Sequence, residues 1–167
     1  MTNDNYANHT LSIYVTNQPG VLMRVAQVFS RRGFNIDSLV VSPGVNGQYS
    51  RMTISAKGPE ESLEQINRQV AKLIDVVHCT DHTNDDVVSE EMALIKVVMN
   101  SQKQSEILQV IDHFKATSVD LFDGVIIIKL AAPTQKINEL LVMLKPFDVL
   151  EVIRTGKLIM LRGSNET

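Results

Sequence analysis

T-L-S-I-Y-V-T-N-Q-P-G-V-L-M-R-V-A-Q-V-F-S-R-R-G-F-N-I, Thr10 to Ile36, passes from a period of two to a period of 3.6 across a single turn. Leu11, Ile13 and Val15 alternate with Ser12, Tyr14 and Thr16, the pattern of a half-buried strand. Asn17-Gln18-Pro19-Gly20 is a turn. Val21, Leu22, Val25, Val28 and Phe29 then share one face of a helix over Val21–Arg32, and Gly33 ends it. A strand feeding a helix through a short turn is the first half of a ferredoxin-like unit.

The residues downstream complete that unit. Ile36–Ser42 and Ser50–Ala56 read as strands joined by a loop with Gly and Asn. Pro59 suits an early helical position, and Leu63, Ile66, Val70 and Leu73 form the buried stripe of a second helix. Val76–Thr80 is a short closing strand, so the order is βαββαβ. The same order then recurs without the same residues. Glu91–Met99 reads as a strand, and Ser101 opens a helix with Ile107, Leu108, Ile111 and Phe114 inward. Ser118–Phe122 and Val125–Ala131 flank an Asp123-Gly124 hairpin turn. Thr134 is placed to cap a helix carrying Ile137, Leu140, Leu141 and Leu144. Val149–Thr155 and Leu158–Leu161 follow. The expected class is α+β, two ferredoxin-like domains in tandem. The expected boundaries are a disordered segment over 1–9, a first domain over 10–80, a polar linker over 81–89, a second domain over 90–163 and a frayed tail over 164–167. Two small units with open sheet edges are suited to pairing with another copy.

Composition narrows the function. The chain of 167 residues is 44% apolar and 21% charged, with a net charge of −3, no Trp and only 5% aromatic residues. Neither a basic stripe nor a supply of rings for base stacking is present, so nucleic acid is not an expected partner. No apolar run reaches membrane-spanning length. Cys79 is the one cysteine, which excludes an internal disulfide and suits a reducing compartment, and the polar start has no apolar core of a signal peptide. These features fit a cytoplasmic protein.

The segment with chemical content is the turn before the first helix. The first amides of a helix lack intrahelical acceptors, and the helix dipole places partial positive charge there, so a carboxylate is favoured. Gly20 leaves room for a ligand to approach the backbone, Pro19 stiffens the turn, and Asn17 offers both a donor and an acceptor. Asn35, at the far end of the same helix, offers a carbonyl to an ammonium group of a ligand lodged between two subunits. Val21, Leu22 and Ile36 would line an apolar pocket. Both charges and an apolar tail describe a small free amino acid. The alternative for the same residues is a plain turn, a glycine helix stop and a polar strand start.

Asn17 to Leu39, N-Q-P-G-V-L-M-R-V-A-Q-V-F-S-R-R-G-F-N-I-D-S-L, resembles the small regulatory subunit of acetohydroxyacid synthase (acetolactate synthase), and the first half is similar to an ACT domain. Further matching runs are S-R-M-T-I (Ser50–Ile54), L-E-Q-I-N-R-Q (Leu63–Gln69), K-L-I-D-V (Lys72–Val76), E-M-A-L-I-K-V (Glu91–Val97) and E-V-I-R-T-G (Glu151–Gly156). The chain departs from the family around His113-Phe114-Lys115-Ala116-Thr117. The resemblance implies a subunit with no active site of its own and no cofactor. It implies a catalytic large subunit that uses thiamine diphosphate, Mg2+ and FAD. It further implies activation of that subunit, homodimerisation through the ACT domains, and feedback inhibition by valine, or by leucine or isoleucine, bound between two of them. Carried onto this chain, the effector contacts are Asn17, Gly20, Val21, Leu22, Asn35 and Ile36.

Other classes find less support in the residues. There is no nucleophile elbow, triad or phosphate loop. His78, Cys79, Asp81 and His82 are crowded, but strand alternation sends neighbours to opposite faces, and a structural zinc site needs four convergent ligands. Arg51 and Arg154 are candidate contacts for a large subunit, or ordinary surface charges on strands. A free-standing amino-acid sensor acting on another enzyme or a transcription system is the main alternative. Against it, the helix from Ser101 to Phe114 carries Lys103 and little other positive charge, so it is no recognition helix.

Overall fold

The alternating stretch at the start becomes β1 (Ala7–Thr16), followed by α1 (Val21–Arg31), β2 (Asn35–Pro43), β3 (Tyr49–Gly58), α2 (Glu60–Val70) and β4 (Val76–Asp81). The structure, a computed structural model, describes residues 7–167. The strands form an antiparallel sheet in the order β2-β3-β1-β4. Register explains the core. Leu11 stands opposite Ile54 and Ile13 opposite Met52, so the apolar members of both central strands fall on one face. Val25 and Phe29 of α1 and Leu63, Ile66 and Val70 of α2 are buried in the same cluster. Removing one such side chain to alanine costs roughly 2–5 kcal/mol.

The opposite face of this sheet is polar yet partly closed. Ser12 and Thr53 are buried. The rings of Tyr49, Tyr14 and His78 stack in a row across three strands, with centroid separations of 5.1 and 5.3 Å. Arg51 lies over the Tyr14 ring and donates to Ser12 Oγ at 3.3 Å. It is thus tied to the sheet and is no free surface charge. Its neighbours on the pleat hold it down.

The second unit repeats the plan with β5 (Val87–Val98), α3 (Gln104–Phe114), β6 (Thr117–Phe122), β7 (Val125–Ala132), α4 (Thr134–Leu144) and β8 (Val149–Arg154), in the sheet order β6-β7-β5-β8. Ala93, Ile95 and Val97 of β5 and Ile126, Ile128 and Leu130 of β7 meet the helices in one buried cluster. The class is therefore α+β, with two ferredoxin-like units. By compactness the first unit takes the chain up to Val88 together with Gly156–Thr167, and the second takes Ser89–Thr155. Gly156 brings the returning chain against β2 of the first unit. Its φ is +84°, and a Cβ there would sit 2.4 Å from Ser38 Cβ, so glycine is required on both counts.

Several local expectations change. In α3 the inward residues are Ile107, Val110, Ile111 and Phe114, and Leu108 is exposed. The spacing i, i+3, i+4, i+7 is satisfied by Val110, one helical phase away from Leu108. Ser101 lies in a turn before α3, which begins at Gln104. Thr134 caps nothing: Pro133 holds the N-cap position, and Thr134 Oγ1 is buried without a partner among the described residues. Lys115 ends α3 with φ 55°, a left-handed stop where glycine is the usual residue.

The polar stretch 81–89 is more ordered than a linker. β4 runs to Asp81 and β5 starts at Val87. Between them the His82 backbone N–H donates to the Thr10 carbonyl at 2.9 Å, and the buried His82 ring meets Asp85 at 2.8 Å. The tail is also held, since Thr167 is buried and its hydroxyl accepts from the Leu161 N–H at 2.8 Å. β1 already includes residues 7–9, with His9 buried and bonded to the Gly58 carbonyl. The expected disorder of residues 1–6 lies outside the described residues. Arg154 is spent inside the second unit, on buried Glu91 and on Asn138 Oδ1 at 2.8 Å.

Candidate effector site

Thr16 ends β1, and its N–H donates to the Asp75 carbonyl at 2.8 Å. The chain then turns through Asn17–Gly20 into α1. Asn17 is anchored twice to the loop between β2 and β3: its N–H donates to the Gln48 carbonyl at 2.9 Å, and its Nδ2 donates to the Gly47 carbonyl at 3.0 Å. The side chain expected to serve a ligand therefore first fixes the turn. Its Oδ1 has no protein donor among the described residues. Gly20 occupies the N-cap position with φ 84°, and no side chain caps the helix.

An uncapped start leaves donors. Val21 N–H makes only a long bond of 3.4 Å to the Gln18 carbonyl. Among the described residues the N–H groups of Gly20, Leu22 and Met23 have no acceptor. Three such donors at the positive end of a helix form a receptor for a carboxylate. The first turn carries no acidic residue to satisfy them. Val21 is buried under the turn, whereas Leu22 is 42% exposed and lies open beside the donors.

Arg24, absent from the sequence-based set, belongs to this place. Its Nη1 lies 3.2 Å from where a Gly20 Cβ would stand, and its Nε and Nη2 both reach Asp75 Oδ2 at 2.7 Å. Asp75 Oδ1 accepts from the Thr16 hydroxyl at 3.3 Å. The guanidinium adds positive charge to the anion-binding end of α1, and Asp75 balances it. Only Asp75 and Arg24 together show this arrangement, and the sequence separates them by 51 residues.

Asn35 and Ile36 do not join this loop within one chain. Thr16 pairs with Tyr49 at one end of β3, and Asn35 pairs with Lys57 at the other. Eight residues of strand separate the two places by roughly 27 Å. Asn35 is exposed at the start of edge strand β2, and Ile36 packs partly against the core. Within one chain the Asn17–Gly20 turn and Asn35–Ile36 thus lie at opposite ends of α1. A ligand the size of an amino acid does not reach both places within one chain.

The crowded residues at the end of β4 act separately. His78 stacks on Tyr14, Asp81 Oδ1 accepts from the Thr83 N–H at 2.9 Å, and His82 pairs with Asp85. Burial, helped by the Asp81 charge, pushes the Cys79 thiol up from 9.0 to about 12. Among the described residues no three potential metal ligands converge. No helix there is long and apolar enough to cross a membrane.

Comparison with known proteins fixes the family. Residues 11–78 match the family described as AHAS small subunit-like ACT domain, and residues 90–163 match the family described as small subunit of acetolactate synthase. The chain belongs to the acetolactate synthase small subunit family. It is 38% identical over 155 residues to the acetolactate synthase small subunit of Mycobacterium bovis, covering 93% of this chain and 92% of that one. The small subunit of Mycobacterium leprae is 39% identical over the same shares. The crystal structure of the Thermotoga maritima acetolactate synthase small subunit superposes with a TM-score of 0.84 at 36% identity, covering 95% of this chain and 99% of that one. Within this family of small subunits, the first unit is the ACT domain, and the open helix start described above lies inside it.

Proposed function

We propose that this chain is the non-catalytic regulatory subunit of an acetolactate synthase, which activates the catalytic large subunit and confers feedback inhibition by a branched-chain amino acid, valine or else leucine or isoleucine. One observation carries the reading: three unpaired backbone donors at the start of α1, beside a guanidinium and an exposed leucine, in a chain of this family. The effector carboxylate takes the donors of Gly20, Leu22 and Met23. Its branched side chain packs on Val21 and Leu22. Its ammonium group meets Asn35 of a second copy, with Ile36 of that copy closing the apolar side. Thiamine diphosphate, Mg2+ and FAD belong to the catalytic subunit in this reading, and the chemistry takes place there.

An effector held between two copies acts by favouring one arrangement of them over another. Couplings of this kind amount to roughly 1–3 kcal/mol. The size of the pocket discriminates weakly among branched side chains, since one methylene changes binding by about 1–3 kcal/mol.

Reconstitution tests the reading. The purified chain is mixed with the catalytic subunit from the same cells, and valine, leucine and isoleucine are titrated. The expected result is higher activity with the chain present and inhibition by at least one of the three. Gly20→Asp puts a Cβ 3.2 Å from Arg24 Nη1 and brings a carboxylate beside the guanidinium, where it competes for the anion position. This variant is expected to activate the enzyme and to resist inhibition. Full sensitivity in Gly20→Asp moves the site elsewhere, and an unaltered catalytic rate with the wild-type chain refutes the regulatory role.

A further inference from the structure

At the opposite end of α1 from the open amides, Arg31 and Arg32 stand with Ser62 and Gln69 of α2 around a surface pocket of about 420 Å³. Arg32 is held out from its own helix by neutral acceptors. Its Nε donates to Gln69 Oε1 at 3.2 Å, and its Nη1 donates to Gln65 Oε1. These bonds fix the guanidinium plane without neutralising it. Its Nη2 is left open, and Arg31 has no partner among the described residues. Neither guanidinium meets a carboxylate there, and no acidic residue lines the pocket. A cation in the last turn of a helix suits the helix dipole, which accounts for one arginine there. It does not account for a second one oriented by two glutamines.

We propose that this pocket receives acidic side chains of the catalytic subunit, so that α1 carries the effector loop at one end and a docking point for the enzyme at the other. The inference rests on the regulatory reading above. Planar guanidinium groups match carboxylates bidentately, and the pocket is a positive spot on a chain whose net charge is −3. The occupant is a protein rather than a loose ion because the walls are exposed side chains with no backbone donor. Two solvated arginines hold a free anion weakly. A carboxylate delivered on a protein surface arrives with the rest of an interface. The eleven residues of α1 make a rod of roughly 16 Å joining the two places.

The test measures binding of the full chain to the catalytic subunit, by surface plasmon resonance at low and high salt. Arg31→Glu is expected to weaken binding at least tenfold at low salt, Arg31→Lys by much less, and the gap is expected to narrow as salt rises. Arg31 makes no hydrogen bond or ion pair among the described residues, so the melting temperature and valine binding of the isolated chain are expected to stay as in wild type. Wild-type affinity in Arg31→Glu overturns the docking pocket while leaving the regulatory reading intact. A loss of self-association in Arg31→Glu also overturns it, by placing the pocket between copies of this chain. Absence of binding by the wild-type chain removes the regulatory reading and this inference together.

Discussion

Arg24 and Asp75 meet at 2.7 Å beside Gly20, and so place a balanced pair of charges against the open amides of α1. The pair is partly solvated, with side-chain exposures of 45% and 16%, and a pair of this kind contributes about 0–1 kcal/mol to the fold. In the proposed reading its weight falls on the ligand instead. Arg24→Ala is expected to leave the melting temperature nearly unchanged and to weaken valine binding at least tenfold, the loss of one charge-assisted contact worth roughly 1.5–3 kcal/mol. Calorimetric titration of the isolated chain measures this. Unchanged affinity would confine Arg24 to its bond with Asp75.

Gly58 ends β3 where the Phe34 ring closes the core. A Cβ at 58 would stand 2.1 Å from Phe34 Cε1 and 2.3 Å from Cζ. Overpacking of this sort costs typically about 1–3 kcal/mol. Gly58→Ala is expected to lose that much in urea unfolding, and Phe34→Leu introduced with it is expected to cost less than the two changes summed, because they share one contact. Strict additivity would show that the ring already has room to move.

Cys79 is expected to be a poor nucleophile. With its thiol raised from 9.0 to about 12 by burial and by Asp81, the folded protein keeps the proton that an unfolded chain loses. The sign follows from linkage: this contribution to stability is fully present below pH 9 and falls as pH climbs from there through 12, where the unfolded state binds fewer protons than the native one. Alkylation by iodoacetamide at pH 8 is expected to be slow in the native chain and fast in urea. Melting temperatures of wild type and Cys79→Ala are expected to converge or cross between pH 9 and 11. Rapid alkylation of the native thiol contradicts this.

Much of this was legible in the residues. Leu11, Ile13 and Val15 alternate so cleanly that a one-residue slip against Ile54 and Met52 would turn them all out of the core. The turn at Asn17–Gly20 was legible because glycine and proline mark it and a helical stripe begins at once. What local reading missed was tertiary. Leu108 and Val110 both sit beside the apolar stripe, and packing against the sheet completes it with Val110. Thr134 has the chemistry of a cap, but Pro133 already holds that position. Asp75 reaches Arg24 through the fold, with no sequence signal at all. The same holds for Arg154, whose partner Glu91 stands 63 residues away. Asn35 is assigned to a ligand lodged between two subunits, and α1 joins it to the Asn17–Gly20 turn in sequence while separating the two in space.

The central claim is that unpaired amides at the start of α1 take the carboxylate of an amino acid shared between two copies. It is tested most directly by following the backbone amide resonances of the 15N-labelled chain as valine is added. The expected result is large, saturable shifts at Gly20, Leu22 and Met23, with a matching shift of the Asn35 side-chain amide and none at Lys115 in the second unit. Saturable binding that leaves those three amides and Asn35 unmoved would contradict it.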